Sequence, residues 1–442
     1  MGKRTSLAER IEIGERSEQG EKDPEIARAM GLSVAVVRKW RRRWQREGRL
    51  GLASPMGRPA SGPLGAYPEA LKERVRQMRC ENPGWGAETI RQELATTTEF
   101  SQIPSRPQVA LYLKAAGLTR KYERHSELPQ PPQINGPQRA HEEWQMDAQG
   151  VMDVSGAGKV SLINICDVFT TLKIDSYPCM HKRKPSTLDY QLVLRRAFAR
   201  FGMPERLALD HDSVFYDNTS ASPYPTPLHL WFIALGIDVA FGRKGRPTDQ
   251  AMVERSHQTM TNQALMSHGL LDQAAIQTKL DERLDFLAHR YPSRSLAGQP
   301  PLVAFPDASH SGRAYRPEWE RSLLDLQPVY DYLAQGRWFR QVSQQGQFSL
   351  GGFPYGVGVA CANQSLEISF DNHNRQFLCR PEQAHPVIRL APQGLTKQRL
   401  MGELGPILAL PYYQPTLPFS LEQWRQLETL SVLTGTTFPD FG

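Results

Sequence analysis

The sequence predicts a multidomain protein with N-terminal all-α units, a central α/β domain and a small C-terminal β-barrel or sandwich. The chain has 442 residues, which is too long for one ordinary domain. Helical apolar spacing dominates up to residue 120, and strand-like and helical runs alternate from 140 to 295. Short apolar runs separated by Gly, Asn and Gln then fill residues 335–380, which is typical of small antiparallel sheets.

The bulk composition predicts a soluble cytoplasmic protein that does not enter a membrane. No run of about 18 apolar residues is present, and the charged first twenty residues lack the apolar core of a signal peptide. The five cysteines are odd in number, scattered, and form no CxxC pair. That pattern argues against a disulfide framework and a zinc site, and it favours a reducing compartment.

Residues 5–52 are predicted to form a helix-turn-helix domain. A first helix covers Ser6–Gln19, and Asp23-Pro24 starts a short second helix that ends before the turn at Gly31. Ser33 caps a third helix that ends at Gly48. Its apolar stripe is made by Val37, Trp40 and Trp44, so the tryptophans are interpreted as core residues rather than as base-stacking ones.

The third helix concentrates positive charge. Residues 38–49 carry seven basic residues and one acid, whereas the net charge of the whole chain is only +7. Such a stripe on one helix is typical of nucleic-acid contact, although a solvated helix face would look the same. The candidate DNA-binding residues of this recognition helix are Arg38, Lys39, Arg41, Arg42 and Arg46. We therefore expect double-stranded DNA as a partner and a location at the nucleoid within the cytoplasm.

A Gly/Pro/Ser linker leads to a second helical domain over residues 67–120. Its predicted helices are Tyr67–Glu81, Ala87–Leu94 and Ser105–Ala116. No single helix concentrates charge, so both a second helix-turn-helix and a bare packing module remain open. Residues 330–382 are predicted to form the barrel, and residues 386–442 form a tail without an assigned role.

The α/β domain, residues 140–295, orders three carboxylates in a way that suggests phosphoryl chemistry. Asp147 lies on a predicted strand, Asp210 ends a later strand, and Glu254 lies about one turn inside a following helix. A basic loop with Arg243, Lys244 and Arg246 precedes that helix and would contact phosphates. Carboxylates on rigid elements beside cations suit a metal ion that must meet a phosphate.

The residues around these carboxylates resemble the integrase-like DDE transposases of bacterial insertion sequences. The matching stretches are WQMDAQG, LALDHDSVF and GRPTDQAMVERSH, together with the helix-turn-helix stretch GLSVAVVRKWRRRWQREG, and the resemblance covers roughly residues 20–380. It implies an RNase H-like catalytic core, with Asp147, Asp210 and Glu254 as catalytic residues and ligands of two Mg²⁺ or Mn²⁺ ions. It also implies an SH3-like barrel, binding to terminal inverted repeats and target DNA, 3′-end cleavage with strand transfer, and a homo-oligomer on DNA.

The sequence departs from this family in three places. Asp212 stands where glycine is usual, and Thr261 stands where integrases often have lysine. The stretch Asn218–Pro227 makes the interval between Asp210 and Glu254 longer than usual.

Several assignments remain open at this stage. Asp212 could replace Asp210 as the second ligand, and Asp167 could compete but is interpreted as structural. His257 could contact DNA phosphate or a metal-bound water, or could simply pack the helix. Two other functions are weighed against the transposase: a DNA-binding regulator with an inactive integrase-like core, and an RNase H-type nuclease.

Overall fold

The computed structural model describes residues 5–52, 62–97, 99–119, 136–180, 184–242, 250–383, 386–404 and 426. Its contacts divide the chain into two compact units. The first contains Met1–Arg74 and Ser101–Thr119, and the second contains Val75–Phe100 and Arg120–Gly442. Residues 75–100, which were predicted to belong to a separate helical domain, thus group with the α/β core.

The first unit opens with the predicted three helices, α1 (Leu7–Glu18), α2 (Asp23–Met30) and α3 (Val34–Gly51). Ser6 closes a capping box with Glu9, and Ser33 caps α3. Gly31 adopts the left-handed conformation needed for the turn, and Gly48 interrupts α3 with φ 61°. One cluster closes the bundle; its fully or nearly fully buried members are Ile13, Ile26, Ala27, Val37, Trp40 and Leu52.

Three further helices follow, namely α4 (Glu69–Glu81), α5 (Ala87–Thr96) and α6 (Arg106–Ala115). Each agrees with its predicted span to within two residues. Helix α6 starts at a capping box between Ser105 and Gln108 and belongs to the first unit, whereas α5 belongs to the second.

The second unit is built on a six-stranded mixed sheet. Its strands are β1 (Glu143–Ala148), β2 (Met152–Val154), β3 (Gly158–Asp167), β4 (Lys173–Cys179), β5 (Arg206–Leu209) and β6 (Asp238–Phe241). The main order is β4-β3-β1-β5-β6, with β2 paired to β3. Strand β1 runs antiparallel to β3 and parallel to β5, and β5 runs parallel to β6.

Helices cover both faces of this sheet. They are α7 (Thr187–Phe201), α8 (Pro227–Ala234), α9 (Ala251–Met260) and α10 (Gln273–His289), and a short π-helix, Thr261–Leu265, continues α9. Trp144 and Met146 of β1 pack in one cluster with side chains of α7 and α8. Since side chains alternate along a strand, the intervening Gln145 and Asp147 face α9 instead.

The C-terminal part adds three helices, α11 (Pro301–Ala304), α12 (Glu320–Leu323) and α13 (Gln327–Ala334), and six strands. The strands are β7 (Arg337–Gln341), β8 (Gln347–Leu350), β9 (Phe353–Gly356), β10 (Ser365–Asp371), β11 (Gln376–Pro381) and β12 (Ile388–Leu390), and helix α14 (Lys397–Met401) follows.

The predicted antiparallel strands are therefore present, but their closure into a barrel is not confirmed. Over the described ranges, strands β12-β11-β10-β7 form one sheet, while β8 and β9 form a separate hairpin. Strand β12 extends this sheet beyond residue 382, where the predicted barrel ended. The five cysteines are free thiols, of which Cys80 is exposed and the other four are buried. Among the described helices, none combines the length and apolarity needed to cross a membrane.

Candidate active site

Parallel pairing of β1 with β5 brings Asp147 next to Asp210. The register pairs Glu143 with Arg206 and Gln145 with Ala208. Continued by two residues, it places Asp210, the first residue after β5, opposite Asp147. Neighbouring strands are about 4.8 Å apart, so the two carboxylates lie side by side at the same edge of the sheet.

The electrostatics of Asp210 reflect this proximity. Burial raises its pKa most strongly, and the negative charges of Asp147 and Asp212 raise it further. The backbone N–H of Asp212, which donates to Asp210 Oδ1 at 2.9 Å, and the Lys184 ammonium oppose that rise. A half-buried carboxylate pair with like charges is an environment that a cation stabilises.

Helix α9 packs against β1 on the face that carries Gln145 and Asp147. The backbone N–H of Val253 donates to Gln145 Oε1 at 3.3 Å, and one turn later His257 Nε2 lies 3.1 Å from Asp147 Oδ2. Glu254 is exposed in the first turn of α9, three residues before His257, and so projects from the neighbouring turn on that side of the helix.

The structure thus brings Asp147 and Asp210 together but does not gather all three predicted ligands. Within the described ranges, no three carboxylate, imidazole or thiol groups lie close enough to hold a metal ion between them. Glu254 is on the predicted helix and in the predicted turn, and its role stays a prediction.

A buried chain of polar side chains orients Asp147. Ser176 Oγ donates to Asn164 Oδ1 at 2.7 Å, and Asn164 Nδ2 lies 2.7 Å from His257 Nδ1. An amide nitrogen can only donate there, so the imidazole proton is assigned to Nε2, which donates to Asp147. Sequence reasoning missed Asn164 and Ser176. The signal was an amide residue inside the apolar strand run LINIC.

Asp212, the alternative second ligand, has a different environment from Asp210. Its Oδ2 accepts from Lys184 Nζ at 2.8 Å, and its Oδ1 accepts from the backbone N–H of Val214 at 3.2 Å. These hydrogen bonds and the Lys184 charge lower its pKa against the effect of burial, which is the largest single contribution. Asp212 therefore forms hydrogen bonds within the turn after β5, and the assignment of Asp210 as the second ligand stays a prediction.

Asp167 is structural, as interpreted from the sequence. It is fully buried, and it accepts from the backbone N–H groups of His141 and Thr170 at 2.7 Å each and from the Thr170 hydroxyl at 2.6 Å. Thr261, one of the three departures named above, exchanges hydrogen bonds with Gln149 just beyond β1.

The predicted basic residues divide into two groups. Arg243, Lys244 and Arg246 lie outside the described residues. On α3, the side chains of Arg38 and Arg46 are 58% and 76% exposed, and Arg42 is also exposed. Arg41 pairs with Asp23 at 2.8 Å and Arg38 approaches the same carboxylate at 3.5 Å, while Lys39 lies over the Trp40 ring. The charged stripe therefore faces solvent beside the buried Trp40.

A buried contact that the sequence did not reveal fixes the end of the α9 helix. Trp85 Nε1 donates to the carbonyl of Gln263 in the π-helix at 2.9 Å, and Gln263 Nε2 donates to Thr89 Oγ1 at 3.0 Å. Arg283, fully buried on α10, donates to Gln263 Oε1 at 3.0 Å and to Glu93 at 2.6 Å. Residues 85–93 thus hold the segment that continues from the Glu254 helix.

Comparisons with known proteins agree with the N-terminal assignment. Two family models, each described as a homeodomain-like domain, match residues 36–113 and residues 4–53. These matches support helix-turn-helix units of the homeodomain-like kind within residues 4–113.

Two solved structures are similar to the chain at low identity. The catalytic core domain of BIV integrase is 16% identical over 38% of this chain and 96% of its own, with a TM-score of 0.29. The simian T-cell lymphotropic virus intasome, in complex with PP2A regulatory subunit B56 gamma, is 13% identical over 72% of this chain and 96% of its own, with a TM-score of 0.32. Because both TM-scores are low, the fold of the core is defined here by its own strand order.

Proposed function

We propose that this protein is a DDE-type DNA transposase that binds terminal inverted repeats and joins their 3′ ends to target DNA. The observation that supports the proposal is the parallel register of β1 against β5, which, when continued by two residues, sets Asp147 opposite Asp210. Glu254 lies in the first turn of α9, whose His257 contacts Asp147. The juxtaposition of the two aspartates comes from strand pairing and does not depend on the family resemblance.

The residues fit a divalent metal such as Mg²⁺. The donors are carboxylate oxygens, which hard cations prefer. The negative charge of Asp147 raises the pKa of Asp210, and a bound cation would relieve this repulsion. In the proposal these two residues hold the metal and Glu254 completes the ligand set. A bound metal pair would supply charge stabilisation to the attacking and leaving oxygens of the phosphodiester.

The remaining contributions come from the chain itself. His257, fixed by Asn164, holds Asp147 in one orientation, and the Lys184 ammonium pairs with the Asp212 carboxylate beside Asp210. The exposed arginines of α3 would contact the phosphates and bases of duplex DNA, away from the chemistry. Synapsis of two DNA ends would require at least two copies of the chain.

Neutralising each carboxylate tests the proposal. Asp147→Asn, Asp210→Asn and Glu254→Gln should each abolish Mg²⁺-dependent joining of a labelled DNA end, because an amide cannot hold dications close together. Retention of DNA in a gel-shift assay should be unchanged, since the α3 arginines are intact. Asp212→Asn is the matched control and should keep substantial activity.

The outcomes separate the open assignments. If Asp212→Asn is inactive and Asp210→Asn is active, Asp212 and not Asp210 is the second metal ligand. Four variants as active as wild type would exclude the transposase. DNA binding without joining by the wild-type chain would favour the regulator, and preferential cleavage of an RNA–DNA hybrid would favour the nuclease.

A further inference from the structure

The structure places an exposed cation at the edge of the carboxylate pair. Lys184 Nζ donates to Asp212 Oδ2 at 2.8 Å, and the Lys184 side chain is 82% exposed. The backbone N–H of Asp212 donates in turn to Asp210 Oδ1 at 2.9 Å. Two hydrogen bonds in series therefore connect this ammonium to the second candidate metal ligand.

The turn that carries Asp212 is fixed by its own hydrogen bonds. Asp212 Oδ1 accepts from the backbone N–H of Val214 and from the Ser213 hydroxyl, at 3.2 Å each. The backbone N–H of Phe215 donates to the Asp212 carbonyl at 2.9 Å. Because these bonds hold Oδ1, the other carboxylate oxygen stays oriented toward Lys184.

The start of α7 holds Lys184 from the other side. Ser186 and Asp189 form a capping box, in which the Ser186 backbone N–H and hydroxyl both donate to Asp189 Oδ2 at 2.7 Å. One turn into the helix, the Tyr190 ring packs edge-on against Phe215, with 4.7 Å between the ring centroids. This aromatic contact joins the start of α7 to the turn after β5, so packing as well as the ion pair places Lys184 at that turn.

The ammonium lies beside an excess of negative charge. The pKa of Lys184 is raised first by its hydrogen bond to Asp212 and by the charge of that carboxylate. The charges of Asp210 and Asp147 raise it further, so the side chain is protonated at neutral pH. These three carboxylates would repel an incoming phosphodiester, and a cation at their edge offsets part of that repulsion. Within the described ranges Asp212 is the hydrogen-bond partner of Lys184, so two of its three N–H donors remain available.

We propose that Lys184 binds a phosphate of the DNA strand that is cut or joined at the carboxylate pair. The inference rests on the proposed function and adds a DNA contact to its site. An exposed ammonium is a point charge that binds phosphate oxygens without reading the base. Asp212 holds this ammonium beside Asp210 without covering it, so Asp212 is a positioning residue that acts through Lys184. A glycine at position 212 would have no carboxylate for this purpose.

Neutral phosphate analogues test this contact on the full-length chain. The substrate is a labelled duplex of the proposed terminal repeat, joined in the presence of Mg²⁺. Each duplex of a series carries one methylphosphonate in the last linkages of the joined strand. A methylphosphonate removes the charge of one phosphate, so at the phosphate that Lys184 binds it should raise the wild-type KM about tenfold.

Lys184→Gln is the matching change in the protein. With unmodified DNA its KM should rise about tenfold at unchanged kcat, because a contact made in both the ground state and the transition state is lost. The slope of log KM against log salt should fall by about one. The critical methylphosphonate should then have no further effect. Lys184→Arg keeps the charge and should retain both the wild-type KM and the sensitivity to that methylphosphonate.

Lys159→Gln is the control for the loss of one positive charge. Lys159 is exposed on β3, five residues from Asn164, which is the partner of Asp147 in the sheet. At about 3.3 Å per residue it lies about 17 Å along the strand from that position. This variant should match wild type in KM, in salt slope and in its response to each methylphosphonate.

The possible failures are distinguishable. If the losses from Lys184→Gln and from every methylphosphonate are additive, the contact is refuted and the transposase proposal stands. The contact is also refuted if Lys184→Gln leaves the KM for DNA unchanged and lowers the half-saturating Mg²⁺ concentration, since the ammonium would then only compete with the metal. No joining of any DNA end by the wild-type chain would refute the proposed function and this contact together.

Discussion

The turn at Gly84 should control the stability of the π-helix Thr261–Leu265 that continues α9. A methyl group built on Gly84 would lie closer than 3.0 Å to the carbonyl oxygen, carbonyl carbon and Cα of Asn262, all of which are backbone atoms that cannot turn aside. Gly84→Ala must therefore separate this turn from the π-helix, and it would break the buried hydrogen bond from Trp85 to Gln263.

The expected cost combines two effects. Overpacking costs about 1–3 kcal/mol, and a buried donor left without its partner costs about 1–3 kcal/mol more, so about 2–6 kcal/mol in total. Gly86→Ala is the matched control, because nothing lies within 4 Å of the methyl group it would add. Gly86 is the N-cap of α5, a position at which alanine is less favourable than glycine. Alanine also lowers the conformational entropy of the unfolded chain, which favours folding. The net change in the free energy of unfolding should therefore stay within about 1 kcal/mol.

Two measurements check this comparison. The urea midpoint followed by tryptophan fluorescence should fall in Gly84→Ala and stay near wild type in Gly86→Ala. Amide hydrogen exchange should accelerate in residues 85–93 and 261–265 of the first variant only. Equal midpoints and equal exchange in the two variants would refute the close packing of this turn against the π-helix.

Three further perturbations address other parts of the chain. Arg38→Ala and Arg42→Ala should each weaken DNA binding by about 1–3 kcal/mol if the arginine meets a base, or lower the salt slope by about one if it meets a phosphate; unchanged affinity and slope in both would exclude α3 as the recognition helix. Glu320→Gln should destabilise the fold by about 3–5 kcal/mol in urea denaturation, because the buried Arg195 guanidinium, which donates to both Glu320 oxygens at 2.7 Å, would lose its counter-charge. The pKa of His229 is lowered to about 4, so the unfolded chain binds one more proton between pH 4 and 6.5, and the fold should lose about 3 kcal/mol as pH falls through that window. His229→Gln should remove this part of the pH dependence, and an unchanged pH profile in that variant would contradict the assignment.

Local sequence signals determined the elements of this protein. Ser6, Gly31 and Ser33 mark helix ends by hydrogen-bonding and backbone preferences that act over a few residues, and α1 begins after Ser6, α2 ends at Gly31 and α3 begins after Ser33 as predicted. The predicted end of α3 at Gly48 is only an interruption, because the helix continues to Gly51. Period-two alternation in β1 separates Trp144 and Met146 from Gln145 and Asp147, so the face of the strand that carries the candidate ligand could be assigned before its partner strand was known.

Only the tertiary structure decided which elements meet. The parallel register that places Asp147 beside Asp210 joins residues 63 positions apart, and no local preference encodes it. The same holds for the contact between Trp85 and Gln263, 178 positions apart, and for the cavity lined by residues of α8, β6, α13 and β7. The apolar pattern of residues 335–380 predicts strands, but it does not predict whether the edge strands pair to close a barrel, and closure is not confirmed. Such contacts depend on which arrangement of the elements buries their apolar faces and pairs their buried polar groups at the same time. That arrangement is a property of the whole folded chain.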